Sequence, residues 1–398
     1  MGERAAVTED AAGSERASRL GELVRLFGKL GIVGFGGPTA HIAMMEDEAV
    51  ARRGWMPREQ LVDALAATNM LPGPNSTELA IHIGYRRAGW LGGVVAGVAF
   101  IAPAFVLMIG LSWAYFRWSD IAAVADLFDG VQPAVIAVLA VTLWRLFKSS
   151  VKDVAQLAIM CATGALAYWL TSFEALILLA AGAFGVALYL APREFPKLPP
   201  LVVVPWPLLA PAALLAAFWA WEPGTLADLT LLFLRAGGLL FGGGYVLIPL
   251  IEGDVVDGYG WLTSQQFIDG VALGQMTLGP IVITSTFVGY GAAGLPGAIV
   301  ATVAAFSPAF VFAIGAGRFL DRIRSWQWAR AFLRGVAPAV VGTIAAVSAR
   351  LGQDALDSIA AAAIFVLALA LCWRYGPIPS ILFAGATGIV AGALGWTG

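Results

Sequence analysis

Long apolar runs separated by short charged loops dominate this chain. Unbroken runs lie near residues 89–116, 121–147, 154–170, 173–191, 206–221, 294–317, 327–349, 356–372 and 378–396. Continuous runs of roughly 17 residues or more can cross a ~30 Å hydrocarbon core as helices. They lack the alternation of a membrane-barrel strand. Four further runs are interrupted: 24–45 at Gly34-Phe35-Gly36-Gly37-Pro38, 61–85 at Leu71-Pro72-Gly73-Pro74-Asn75, 228–251 at Gly242-Gly243-Gly244, and 266–290 at Gly279-Pro280. Broken backbone at membrane depth survives only where protein or water satisfies its freed polar groups. Four such breaks facing one another predict a lined cavity.

The pattern is written twice. Setting Phe35-Gly36-Gly37 on Phe241-Gly242-Gly243 gives a shift of 241 − 35 = 206, at which Gly31 meets Gly237, Glu46 meets Glu252, Trp55 meets Trp261 and Gly73-Pro74 meets Gly279-Pro280. A shift of 205 then pairs Tyr85 with Tyr290, Gly89 with Gly294, Pro103 with Pro308, Gly130 with Gly335 and Arg145 with Arg350. A duplicated apolar chain points to a transporter built from two repeats around a central site.

The run 206–221 has no partner in the first copy. Each repeat holds an even number of passes, so one extra span turns the second copy upside down. Basic loops belong on the cytoplasmic side. With 86–88 inside, Arg145, Lys148, Lys152, Arg193, Lys197, Arg318, Arg322, Arg324 and Arg330 all fall inside, while Glu174, Glu222 and Asp228 fall outside. The loop 46–60 carries Arg52, Arg53 and Arg58, whereas its counterpart 252–266 carries Glu252, Asp254 and Asp257. Both loops fall on their proper sides only if the broken segments are re-entrant hairpins. The expected fold is an all-α integral membrane protein with two inverted-topology repeats, broken re-entrant helices and an extra linking helix. The expected division is 1–22 as a polar N-terminal segment, 23–191 as the first repeat, 192–225 as a Pro-rich connector with the linking helix, and 226–398 as the second repeat.

Composition agrees: 59% of residues are apolar and 13% charged, against about 25% charged in soluble domains, and mean hydropathy is +0.81. The polar first 20 residues predict no cleavable signal peptide. A net charge of −2 gives no footprint for nucleic acid, and two cysteines in separate runs suggest neither a disulfide nor a metal site. Two histidines in different segments do not make an intramembrane catalytic set, and no GxxxxGK[ST] motif is present, so neither an enzyme nor an ATP-driven pump is expected. No cofactor is implied.

The stretches FGKLGIVGFGGPTAHIAMMEDEAV, GW and NMLPGPNSTELAIHIGYRRAGWLGG, with the second copy FLRAGGLLFGGGYVLIPLIEGDVV, GW and FIDGVALGQMTLGPIVITSTFVGYGAAGLPGA, resemble the chromate ion transporter family in its long, two-repeat form. The likeness spans about residues 24–390. It implies a multi-pass protein of the inner (plasma) membrane that moves chromate, usually outward, to give resistance. Sulfate or molybdate is the alternative cargo within the same class, an anion channel is the rival mechanism, and a homodimer is left open.

An oxyanion at the midplane needs donors and positive potential, which half-helix N-termini supply. Candidate anion-site residues are Gly36, Gly37, Pro38 and Thr39 at the first break, and Asn69, Pro72, Gly73, Pro74, Asn75, Ser76 and Thr77 at the second. Thr39, Asn75, Ser76 and Thr77 are capping types. In the second copy the set is Gly243, Gly244, Gln275, Gly279, Pro280, Thr284 and Ser285. Lys29 and Arg235 match across the repeat and are the candidate cations, with snorkelling to the interface as the competing reading. Glu78 and His82 share one helix face beside the second break and are candidates for carrying a proton; neither is duplicated. Glu46, Glu252, Asp63 and Asp269 are expected as caps or ion-pair partners at hairpin ends, and Arg145 and Arg350 as interface anchors.

Overall fold

The computed structural model describes residues 2–34, 37–68, 70–119, 121–190, 224–277, 279–316 and 326–394. The linking run 206–221 lies outside these residues, as do Gly36 and Asn69. All the regular elements among the described residues are helical. The first repeat runs α1 (Gly2–Val33), α2 (Gly37–Glu46), α3 (Arg58–Thr68), α4 (Asn75–Trp118), α5 (Ala122–Ser150), α6 (Val154–Trp169) and α7 (Glu174–Tyr189). The second runs α8 (Thr225–Gly237), α9 (Leu247–Gly253), α10 (Ser264–Met276), α11 (Thr284–Ala316), α12 (Gln327–Ala355), α13 (Ile359–Tyr375) and α14 (Pro377–Ala393). Four stretches are long and apolar enough to cross a membrane: Asn75–Trp118, Ala122–Ser150, Ile281–Gly315 and Gln327–Ala355. Side-chain caps start three of the helices: Asp153 accepts from Gln156 N, Thr263 from Gln266 N and Ser358 from Ala361 N.

The duplication read in the sequence recurs as duplicated contacts. α4 folds back on itself at Ala88-Gly89, where Gly89 has φ +69°, and α11 does the same at Ala293-Gly294, where Gly294 has φ +60°. These left-handed conformations suit glycine. The two arms then lie so close that a Cβ on Gly84 would run into the Gly92 carbonyl, and one on Gly289 into the Gly297 carbonyl. Gly31 of α1 abuts the Phe100 carbonyl, and its equivalent Gly237 abuts the Ala305 carbonyl. Small residues allow this backbone approach where lipid supplies no hydrophobic drive between helices.

Equivalent helices run in opposite directions. Gly93 of α4 meets Ile314 of α11 and Gly97 meets Phe310, so numbers rise along one arm as they fall along the other. Antiparallel equivalents are what an inverted repeat requires. The outer helices are exchanged: α5 packs on α13 and α14, and α12 packs on α6 and α7. Gly130 therefore rests against Gly388, and its equivalent Gly335 against Gly185.

The broken segments return to the end they left. Arg87, where α4 turns, donates to Glu22 of α1 at 2.8 Å and lies 5.2 Å from the Trp55 ring in the α2–α3 loop, while Arg86 donates to Gln60. The start of the membrane part of α1, the α2–α3 loop and the α4 turn thus share one end of the bundle.

Two residues expected at the ends do other work. Asp269 is no cap: it is 4% exposed and accepts from Tyr115 Oη at 2.8 Å and Gln132 Nε2 at 3.1 Å, which ties α10 to the first repeat. Arg350 is no free interface anchor: it pairs with Glu252, lies 3.8 Å from Glu174 and donates to the Ala167 carbonyl at 2.7 Å. Asp269 is satisfied by hydrogen bonds and Arg350 by charge pairing, the two ways a polar group is made tolerable away from water.

Candidate functional site

The glycine-proline breaks converge at mid-height. A Cβ on Gly73 would lie 3.1 Å from Ala309 Cβ, and the equivalent Gly279 packs on the equivalent Ala104. Ala104 sits 14 residues from each end of the α4 arm 90–118, about 21 Å from either at 1.5 Å per residue. Gly73 N also donates to the Leu240 carbonyl at 3.2 Å, joining the second break of one repeat to the first break of the other. Gly244 packs on Ile281 and Val282, so both breaks of the second repeat meet as well. At the first break, His41 Nε2 lies 2.7 Å from the Gly34 carbonyl and its ring packs edge-on against Phe100.

Around these breaks lie buried polar atoms with no hydrogen-bond partner: Ser76 Oγ, Thr77 Oγ1, both carboxylate oxygens of Glu78, Gln275 Nε2 and Ser285 Oγ. A buried polar group left unpaired costs about 1–3 kcal/mol, so a cluster of them marks a place built to meet something. Glu78 is fully buried, and a Cβ on Gly73 would stand 2.6 Å from its Oε1. Its carboxyl group therefore lies directly over the break. His82, one turn on, is 7% exposed on the same face. At a shift of 205 or 206 Glu78 meets Ile283 or Thr284, so the carboxylate exists in one half only. Tyr245, which composition did not single out, donates to Gln275 Oε1 at 3.1 Å and orients that amide.

The capping expectation needs correction. α4 begins at Asn75 with Pro74 in the cap position, so Asn75, Ser76 and Thr77 fill the first turn and none caps it. Proline at the cap leaves the first amides of that turn without a side-chain acceptor. In the second copy Gly243 and Pro280 precede single 3-10 turns, Gly244–Val246 and Ile281–Ile283, and Thr284 Oγ1 bonds the Ile281 carbonyl. Thr39 lies within the first turn of α2, next to Gly37 and Pro38.

Lys29 and Arg235 are placed elsewhere than expected. Lys29 Nζ donates to Glu48 at 3.0 Å and Arg235 pairs with Asp254. Since 48 + 206 = 254, the ion pair itself is duplicated. Each pair clips the helix before the first break to the outer turn of its hairpin. The Lys29 hydrogen bond, followed by that of Arg53, holds the Glu48 carboxyl below its ordinary range against the opposing effect of burial. A lowered carboxylate contributes stability above its unfolded value, near 4.3, and loses it as pH falls through the folded value. Lys29→Met is thus expected to lower the unfolding temperature in detergent at pH 7 by an amount matching at most about 1 kcal/mol. The deficit should shrink only as pH falls below the unfolded value and through the lowered folded value, and a deficit that stays constant down to the acid limit of the folded range would contradict the pairing.

Comparison with known proteins gives the same class. A family profile described as Chromate transporter matches residues 21–186 and again 227–393. The chain is 37% identical over 351 residues to the chromate transport protein of Pseudomonas aeruginosa, covering 83% of this chain and 81% of that one. It is 32% identical over 386 residues to a probable chromate transport protein of Synechococcus elongatus, covering 96% and 97%. It is also 32% identical over 377 residues to the chromate transport protein of Cupriavidus metallidurans, covering 94% and 93%. No solved structure matches the chain.

Proposed function

This chain belongs to the chromate transporter family, and on that premise we propose that it exports chromate, a dianion, across the inner membrane. Membership makes it a transporter and not an enzyme. The observation that carries the reading is the set of unpaired buried groups at the breaks, Ser76, Thr77, Gln275 and Ser285, which offer hydrogen bonds at mid-height. Backbone amides of the first turn of α4 add to them. Preorganised donors in a water-poor site suit a tetrahedral oxyanion. The site residues are those around Gly73, Gly244 and Gly279; Lys29 and Arg235 support the hairpins.

Direction follows from charge. An inside-negative potential of 100 mV favours outward movement of a dianion by about 4.6 kcal/mol, twice the value for one charge. Export then needs only a pathway and alternating access, with a proton carried by Glu78 or His82 as an added coupling. The test is chromate uptake into inverted vesicles, with potential and pH gradient imposed separately and sulfate and molybdate as competitors. Uptake driven by an inside-positive potential and resistant to excess sulfate is expected. Absence of chromate movement under both gradients would refute export, and complete competition by sulfate would move the cargo to the wider oxyanion class.

A further inference from the structure

A second feature bears on how the cargo reaches the breaks. A cavity of about 380 Å³ opens between the C-terminal end of α5, the start of α6 and the first turns of α12, lined among others by Met70, Ser149, Lys152, Gln156, Arg330 and Arg334. Met70 follows α3 and stands two residues before Pro72, so one wall of the cavity adjoins the chain segment that carries the second break. Lys152, Arg330 and Arg334 are exposed at its mouth. The inverted repeat supplies a built-in control. The shift of 205 carries Ser149, Lys152 and Arg334 onto Asp354, Asp357 and Asp129, which lie at the opposite end of the bundle. Asp129 there feels the charges of Asp126 and Asp357. One architectural position is therefore cationic at one end of the bundle and anionic at the other.

We propose that the Lys152–Arg330–Arg334 cavity is a loading vestibule for oxyanions, and that the Asp129–Asp354–Asp357 cluster at the opposite end repels them. Charged clefts concentrate ions of opposite sign and raise their rate of arrival, and salt weakens the effect. The cationic mouth shares its end with Arg52, Arg53, Arg58, Arg86 and Arg87, which is the cytoplasmic end by the positive-inside rule. The vestibule thus raises the local concentration of dianion on the side from which it leaves, and the acidic cluster hinders its return. This rests on the export reading, so one test is independent of cargo.

That test places a cysteine at Ser149 in a background with Cys161 and Cys372 replaced by alanine. In inverted vesicles an anionic thiol reagent is expected to modify it several-fold faster than a cationic reagent of similar size, with the ratio collapsing in Lys152→Gln plus Arg330→Gln and at high salt. Equal rates for both reagents, or a ratio untouched by the two substitutions, would overturn the proposal whether or not chromate is the cargo. The second arm measures chromate kinetics from each face. Arg330→Gln should raise KM from the cytoplasmic face about three- to tenfold at low salt with little change in maximal rate, and Arg330→Lys should restore it. Asp357→Asn should lower KM from the other face. A rise in KM of equal size from both faces would mean a structural role and also sink the idea.

Discussion

Leucine at Gly130 or Gly335 is expected to leave almost no folded protein. A Cβ at Gly130 would lie closer than 3 Å to the Ala384 carbonyl and 2.7 Å from Gly388 Cα. At Gly335 it would crowd the Ala181 carbonyl and lie 2.9 Å from Gly185 Cα. The obstacles are backbone on both sides, so no rotamer change relieves them. Overpacking in a core that can yield costs about 1–3 kcal/mol. Here two helices must separate along their length, which forfeits close contacts as well and takes a large part of a typical stability of 5–15 kcal/mol. Gly110 is the control, since nothing lies within 4 Å of its Cβ position. Gly110→Leu should purify and unfold like the unaltered protein, while Gly130→Leu and Gly335→Leu should give aggregates or no membrane-inserted material by size-exclusion chromatography. Normal yield and unfolding temperature for either of the latter would show that the exchanged crossing is wrong.

Glu78→Gln is expected to remove most of the pH dependence of transport and spare its dependence on potential. Glu78 is fully buried over Gly73 with both oxygens unpaired, and neither possible counterpart, Ile283 or Thr284, carries a charge. Two unit charges 4 Å apart at an effective dielectric of 20 interact by about 4 kcal/mol, so a carboxylate and a dianion sharing the break repel by roughly twice that. A proton on Glu78 therefore strengthens anion binding. Proton and anion then promote each other's binding, which is coupling in the same direction and not exchange. The wild type should change its rate several-fold over the pH range the vesicles tolerate, and the Gln variant less than about twofold. Gln keeps the shape of the group, so a folding defect does not confuse the result. A pH profile identical to wild type would remove Glu78 from the mechanism.

The local features of this molecule were open to reading from residue types. Gly73-Pro74 and Gly279-Pro280 cannot continue a helix, and their recurrence at one shift announced both the breaks and the duplication. The loop charges favour hairpins over crossings, and the Glu22–Arg87–Trp55 cluster at one end gives the geometry. What escaped was long-range pairing. Lys29 in an apolar run invited an anion-binding role because the carboxylate that holds it lies 19 residues away, beyond a turn whose direction the pattern leaves open. A signal existed: Glu48 and Asp254 match at the same shift as Lys29 and Arg235. Asp269 gave no such clue, since Tyr115 and Gln132 come from the other repeat. The capping roles of Ser76 and Thr77 failed for a narrower reason. A cap is defined by where the helix starts, and α4 starts at Asn75, which puts both residues inside its first turn.

The exchange of outer helices has a consequence for how such a chain arises and how it can be divided. α5 finds its neighbours in α13 and α14, and α12 finds its own in α6 and α7. A lone repeat would present those surfaces bare and could cover them only against a second copy inserted upside down. Two half-length chains, each translated separately but able to take opposite orientations, would rebuild the same interlock. Joining them into one gene requires an odd number of additional crossings. Cutting within the connector should accordingly leave two fragments that are degraded when made singly and protect one another when made together.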